Sequence, residues 1–449
     1  MHDIAAIAAA EADMEEDLFQ DEEYDLGLIA SVIIIGAEIS RQARIDNRHE
    51  TRLYLTRSQL LPDPRLATPW QVLYNSRSDR AFITTMGFDV QTFTYILSSG
   101  FATRWDENPI PHNDTSPLAN PRPERRSLDA AGALGLILHY LNSTMREVNL
   151  QQIFALIPTT VSRYITFALR ILLSTLQAIP EAEIKWPGEN DFETLSDLVL
   201  QQHPRLVGAF GSIDGLKLPV QTSDNIDIKN ATFNGWLLEH FISSVLVFSS
   251  KGNLNCLVVS SLLKFHSGVV IAARTNAPGS WHDSRVAQPI YNVLRSKTPD
   301  GYYIIADTAF PRGTAEINGR IRAPLKDRQR VAGTPDQIME AMAFNRELLS
   351  YRQTAEWGMR AIQGSFGRLR IPLSCNDNNA RGDLLEICLR LHDLRTTKVG
   401  INQIRTVYFK QWQETDDDIE VWTGFESMLF SQQQEKDRVA CFHVVLEYE

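Results

Sequence analysis

The sequence is poor in cysteine. Four thiols, Cys256, Cys375, Cys388 and Cys441, are scattered through 449 residues, with no CxxC pair and no Cys/His cluster at zinc spacing. This excludes a disulfide scaffold or a zinc module as the basis of the fold and suits a reducing compartment. Long apolar runs are also lacking. The most apolar early segment, "LGLIASVIIIGA" at 26–37, is twelve residues long, short of the roughly 20 needed to span a bilayer. Residues 1–26 contain ten Asp/Glu and no Lys or Arg, unlike a basic secretory or mitochondrial leader. A soluble intracellular protein without membrane attachment is expected. Positive charge is scarce overall: 44 Lys+Arg stand against 55 Asp+Glu, for a net charge of −11. Taken alone, that balance argues against broad basic binding of nucleic acid, because phosphate contacts rest on Lys and Arg. No internal repeat or low-complexity tract is evident.

What is present is ordinary globular composition, 43% hydrophobic and 22% charged, enough for a sizeable core and two or three domains. Residues 1–104 read as an acidic helical region, in which a helix to about Arg44 is either buried or a docking face for a partner. Residues 105–127, rich in Pro, Asn and Asp, read as a linker. Helices return over 128–200. There "NLQQIFALI", a Pro-Thr-Thr break and "TVSRYITFALRILLSTLQAI" form two helices joined by a tight turn. A helix-turn-helix and a plain helical hairpin both fit, and Arg163 and Arg170 are thin charge for a recognition helix. From about 201 to 400 strands come first and helices after, which predicts a mixed α/β sheet flanked by helices. The strand candidates include "LVGAFGSIDGLKLPV", "FISSVLVFSS" (241–250), "NLNCLVVSSLL", "GVVIAAR" and "GYYIIADTAFP" (301–311). The best helix covers roughly 336–366. Residues 401–449 form a tail with an acidic cluster, "ETDDDIE", at 414–420.

Two of these strands end on an acid, Asp214 and Asp307. An ionised carboxylate near a core is expensive unless something compensates it. Side by side, the two strands would place both acids at one sheet end. Glu356, on the long helix between Arg352 and Arg360, could join them. Three carboxylates in a tight space call for a counter-charge, and an all-oxygen donor set suits Mg²⁺ or Mn²⁺. Each residue also has a plain reading: either Asp as a turn former or helix cap, and Glu356 as an ion-pair partner of Arg352 or Arg360. Periodicity alone does not select these three acids from 55.

Four ordered blocks sharpen the choice. "GSIDGLKLPV", "NAPGSWHDSRVA" (276–287), "IIADTAFP" (304–311) and "FNRELLSYRQTAEWGMRAIQGSFGRLR" (344–370) resemble the PIF/Harbinger group of DDE transposases and their Harbinger-derived nuclease relatives. The resemblance covers 206–372 and extends weakly to the helical region at 128–177. It implies an RNase H-like core preceded by an all-helical region with a helix-turn-helix, and Asp214, Asp307 and Glu356 as catalytic ligands of two divalent cations. It further implies cleavage of DNA at terminal repeats, joining of 3′-hydroxyl ends to target DNA, and a homo-oligomer on the DNA. A Myb/SANT-like partner for DNA recognition and nuclear import, and hence a nuclear location, also follow from it. Asp283 reads either as an N-cap or as an accessory acid, and His282 as a loop-orienting residue beside it. Arg312, Arg320, Arg322, Lys326, Arg328 and Arg330, with Arg352 and Arg360, are the candidate phosphate contacts. Gly215 is expected to leave room for a phosphate or metal.

The chain departs from the group at Ala309, where Gly is usual, and in the 92 residues between Asp214 and Asp307. Joining Lys251-Gly252 directly to "VVIAAR" gives an ordinary hairpin, so 253–268 reads as an insertion. Two other roles stay open: a domesticated or inactive DNA-associated adaptor, and a hydrolase of small phosphoesters.

Overall fold

The computed structural model describes residues 30–399 except 48–50, 52–53, 112–119, 236, 251–267, 311–316, 318, 327–328 and 330. The chain falls into two units, divided between Thr56 and Arg57. In the first, residues 30–47 form helix α1. Its Val32, Ile33, Ile34, Ile35 and Ile39 are all exposed, so the expectation of burial does not hold. Arg41 pairs with Glu38 one turn back, Nε to Oε2 at 2.8 Å.

The second unit begins with helices α2 (Pro69–Ser76), α3 (Asp79–Met86), α4 (Val90–Ile96) and α5 (Ala102–Glu107). It continues with α6 (Ala130–Asn142), α7 (Glu147–Phe154), α8 (Pro158–Leu176) and α9 (Asp191–Leu200). Starts are set by side-chain caps: Thr68, Ser78, Asp89 and Asp129 each accept from a backbone N–H of the first turn. Helix α6 is apolar on nearly every side and is the buried centre of this layer. Trp70, Phe82, Phe93 and Trp105 from α2–α5 join the same core as α6 and α8. The stretch from 105 is therefore not a free linker at its ends. Trp105 is fully buried, and Arg126 donates to the carbonyls of Trp105 and Asn108. Among the described residues no single helix is long and apolar enough to cross a membrane.

The sheet follows. Strand β1 (Ala209–Pro219) leads to α10 (Ile226–Thr232), β2 (Phe233–Asn234), β3 (Glu239–Ser249) and β4 (Val270–Pro278). Then come α11 (Asp283–Val286), α12 (Gln288–Lys297), β5 (Tyr303–Ala306) and β6 (Ile321–Arg322). Helices α13 (Pro335–Ser365) and α14 (Asn378–Lys398) close the described chain. The long α13 opens with a capping box between Thr334 and Gln337.

Strand β1 is central. It pairs antiparallel with β3 and parallel with β5; β5 pairs parallel with β6, and both β2 and β4 lie antiparallel to β3. Alternation along β3 sorts the two faces. Leu246 and Phe248 face the core shared with α13, α14 and the N-terminal helices. Val245 and Val247 face the core that holds α12 and Phe192 of α9. The strands β3 and β4 close on each other as the hairpin reading requires. Phe248 stands opposite Val270, and Ser249 N donates to Val269 O at 3.0 Å. Most of the suspected insertion, and the strand expected at "NLNCLVVSSLL", lie outside the described residues.

Candidate active site

The β1–β5 pairing builds the centre of the site. Ile213 is in register with Ala306, so the next residues, Asp214 and Asp307, are neighbours at the end of the parallel pair. Asp214 is not at the end of its own strand: β1 runs on to Pro219 against β3, with Asp214 opposite Leu246. Because side chains alternate, Asp214 and Asp307 share a face with Ser212 and Ile305, and that face meets α13. Two contacts seat the helix there. Ser212 Oγ lies 2.9 Å from Thr354 Oγ1. Thr354 Oγ1 itself donates to Tyr351 O at 2.7 Å, so Ser212 is the donor to Thr354. One turn on, Gly358 brings the helix backbone against the Phe248 ring, leaving no space for a Cβ.

Seated this way, α13 delivers Arg352 and Glu356 to the two aspartates. Arg352 Nη2 is 2.8 Å from Glu356 Oε1, and Arg352 Nη1 is 3.5 Å from Asp307 Oδ1. The guanidinium thus ties the strand acid to the helix acid. Burial pushes the Asp214 carboxyl up to about 6; the charges of Asp307 and Glu356 push the same way, and the Gly215 N–H and Arg352 oppose them. Asp214 Oδ1 accepts from Gly215 N at 2.7 Å, and Asp307 Oδ1 from Thr308 N at 2.6 Å.

Asp283 approaches from the other side of β1. It is not an N-cap: His282 holds that position and accepts from Ser284 N at 3.3 Å. The Asp283 carboxylate lies over Gly215, where a Cβ would come within 2.6 Å of its Oδ2. The space expected above Gly215 is therefore occupied by an acid rather than open to phosphate or metal. Burial raises the Asp283 carboxyl and Asp307 adds to the rise, while Lys217 and His282 counter it. His282 Nδ1 sits 2.9 Å from Ser284 Oγ and serves the local turn.

The basic loop is less available than its sequence suggests. Arg320 pairs with Asp300 at 2.7 Å and donates to the carbonyls of Thr298 and Pro299. Arg322 stacks on the Tyr303 ring, 3.9 Å from its centroid. Both pin the loop to the sheet. Lys326 and Arg360 are exposed; Arg312, Arg328 and Arg330 lie outside the described residues. The loop is also tied to α13, through Leu325 N and Asn345 Oδ1 at 2.7 Å.

A second feature lies on the N-terminal layer. Helices α7 and α8 meet at 95° through a tight turn in which Ala155 takes a left-handed conformation, φ 52°. This is helix-turn-helix geometry. A groove of about 450 Å³ runs along α8, lined by Pro111, Thr159, Ser162, Arg163, Thr166, Phe167 and Arg170, with no acid among the described residues.

Among the described residues no three His, Cys, Asp or Glu side chains gather tightly enough to hold a metal ion. The donor chemistry nonetheless fits a hard divalent cation: three carboxylates without sulfur or imidazole. A positive charge already stands among them, the Arg352 guanidinium. Residues 213–393 match the family model of the DDE superfamily endonucleases. The match begins one residue before Asp214 and contains Asp283, Asp307, Arg352 and Glu356. It supports a transposase-like nuclease domain at the superfamily level, for which divalent-metal use is general, and the mixed sheet with its flanking helices is consistent with the RNase H-like fold. No curated protein and no solved structure matches the chain.

Proposed function

We propose that the chain is a metal-dependent DNA endonuclease of the PIF/Harbinger transposase type. The observation that carries this reading is the β1–β5 register, which sets Asp214 beside Asp307 under the helix that brings Glu356, all within the segment matched to DDE endonucleases. Asp214, Asp307 and Glu356 would hold one or two Mg²⁺ or Mn²⁺ ions, which supply Lewis-acid polarisation of a phosphodiester and a water of lowered pKa. The protein's own part is positioning. Parallel strands fix the aspartates, α13 fixes the glutamate, and phosphoryl transfer asks mainly for placement and charge neutralisation. That accounts for a site of acids without a Ser, Cys or His nucleophile. Asp283 is an accessory acid that shapes the field across β1.

DNA would be held by the α7–α8 pair, through the hydroxyls and arginines of the α8 groove, and by Lys326, Arg360 and the other basic residues of 312–330. The freed 3′-hydroxyl would then join target DNA in a homo-oligomeric complex. The acidic balance of the chain favours help from a Myb/SANT-like partner in DNA recognition and nuclear entry, with the nucleus as the place of action. A non-catalytic DNA-associated adaptor is the second reading, favoured by the Arg352 bridge that keeps the carboxylates engaged with an internal cation.

The test is cleavage of supercoiled plasmid and of duplex oligonucleotides by the purified full chain with Mg²⁺, Mn²⁺ or EDTA. Cuts that need the metal and vanish in Asp307→Ala are expected. Absence of cutting by wild type, with and without a Myb-like partner, would move the assignment to the adaptor.

A further inference from the structure

The cation already inside the carboxylate cluster points to how the site is loaded. Arg352 spends its two terminal nitrogens on Asp307 and Glu356. Its Nε is buried and has no hydrogen-bond partner among the described residues. A buried N–H left unpaired is unfavourable, so the guanidinium is held by its two carboxylates and not by a fully satisfied nest of acceptors. The side chain is 18% exposed, and the carboxylates it engages are more open, Asp307 at 42% and Glu356 at 31%. An anion arriving from solvent at these acids therefore reaches the guanidinium too. The planar fork of Arg matches phosphate oxygens two at a time.

We propose that Arg352 is a built-in counter-ion that changes partners, leaving Asp307 and Glu356 for a DNA phosphate so that the two carboxylates become free to take a divalent cation. Without DNA, Arg352 competes with the cation for the same carboxylate oxygens and repels it. With DNA, the phosphate takes the guanidinium and the acids are released. Cation and DNA then favour each other's binding by equal factors, as linkage requires. The inference rests on the reading of Asp214, Asp307 and Glu356 as cation ligands. Lys217 and His282 act on Asp283 from the opposite face of β1 and do not substitute for Arg352.

The experiment counts free Mn²⁺ by its electron paramagnetic resonance signal, with the full chain alone and with a short DNA duplex, after subtraction of the duplex blank. Arg352→Gln is expected to bind Mn²⁺ about tenfold more tightly than wild type in the absence of DNA, since one positive charge at contact distance has gone. It is also expected to lose most of the tightening that the duplex gives to wild type. Arg352→Lys, the milder change, should move in the same direction by a smaller factor, and circular dichroism checks that both variants are folded. Equal Mn²⁺ affinity of wild type and Arg352→Gln, with the same response to DNA, would overturn the exchange of partners. Asp307→Asn and Glu356→Gln separate this from the underlying reading. If they weaken Mn²⁺ binding while Arg352→Gln changes nothing, the ligand assignment stands and only the exchange fails. If they bind Mn²⁺ like wild type, the ligand assignment itself fails.

Discussion

Asp214 carries a cost that its neighbours only partly relieve. Burial pushes its carboxyl up to about 6 in the folded protein against an ordinary value of 3.8. Between those two pH values the folded state holds more protons than the unfolded chain, so stability from this group falls as pH rises through the window. In metal-free protein, Asp214→Asn should therefore raise the melting temperature at pH 7.5, by the equivalent of about 1–2 kcal/mol once solvent screening is allowed for. The gain should disappear below about pH 4. Thermal melts at both values check this, and an unchanged or lower melting temperature at pH 7.5 would show that the ionised carboxylate is well compensated. The same protonation governs cation binding in the proposed site with the opposite trend: affinity should drop as pH falls through 6. The acid itself was legible in the sequence because it interrupts an apolar run. Its environment was not, since Arg352 and Glu356 reach it only once α13 has been laid over β1 and β5. Asp283 shows the same limit. In "WHDSR" the sequence leaves Asp283 between an N-cap and an accessory acid, and only the fold puts His282 at the cap and Asp283 over Gly215.

At the scale of elements, α13 is the part whose placement the site depends on. Its sequence shows a helix over roughly 336–366, and in the fold Thr334 and Gln337 cap its start while Leu348, Tyr351, Ala355, Gly358, Met359 and Ile362 form its buried stripe. What no periodicity reveals is why a glycine stands in that stripe. At Gly358 a Cβ would lie 2.6 Å from Phe248 Cε1, and Phe248 is itself buried. Replacing a helical glycine with alanine ordinarily gains roughly 0.5–1 kcal/mol. Forcing a methyl into a packed interface loses about 1–3 kcal/mol. Overpacking should win, so Gly358→Ala is expected to lower stability by about 1–2 kcal/mol in a denaturant melt. It should also weaken Mn²⁺ binding, because the helix must lift Glu356 away from the aspartates. Stabilisation would mean that the Phe248 ring can rotate aside. Elements also supply partners that the sequence of the basic loop does not show. The basic residues of 312–330 read in one dimension as candidate phosphate contacts. In the fold, Arg320 meets Asp300 and Arg322 meets Tyr303, partners supplied by β5 and the turn before it.

For the molecule as a whole, the strands followed by helices were readable from short apolar runs, and the helical layer from α6 and α8, whereas the order of the strands in the sheet comes from the fold. The union of α2–α5 with that layer was not readable, because the polar stretch from 105 looks like a boundary while Trp105 at its start is core. The β3–β4 junction raises the remaining question about the chain. Ser249 and Val269 are hydrogen-bonded across the hairpin, and Val270 N donates to Asp393 Oδ1 of α14 at 2.8 Å. Both ends of 251–267 are therefore anchored by contacts made outside it. Linking Ser250 directly to Gly268 would leave a two-residue hairpin loop with glycine in second place, a connection that suits antiparallel strands. Shortening the closed loop also reduces the entropy lost on folding, by roughly 1–2 kcal/mol. A chain lacking 251–267 is thus expected to fold with the same far-ultraviolet circular dichroism and a melting temperature equal to or above that of the full chain. A lower melting temperature would mean that the segment makes stabilising contacts of its own. If the shortened chain is at least as stable and also cuts DNA faster with Mn²⁺, the segment restrains the site from the far end of β3. If stability rises and cutting stays the same, the β1–β5 register alone is enough to hold Asp214 and Asp307 in place.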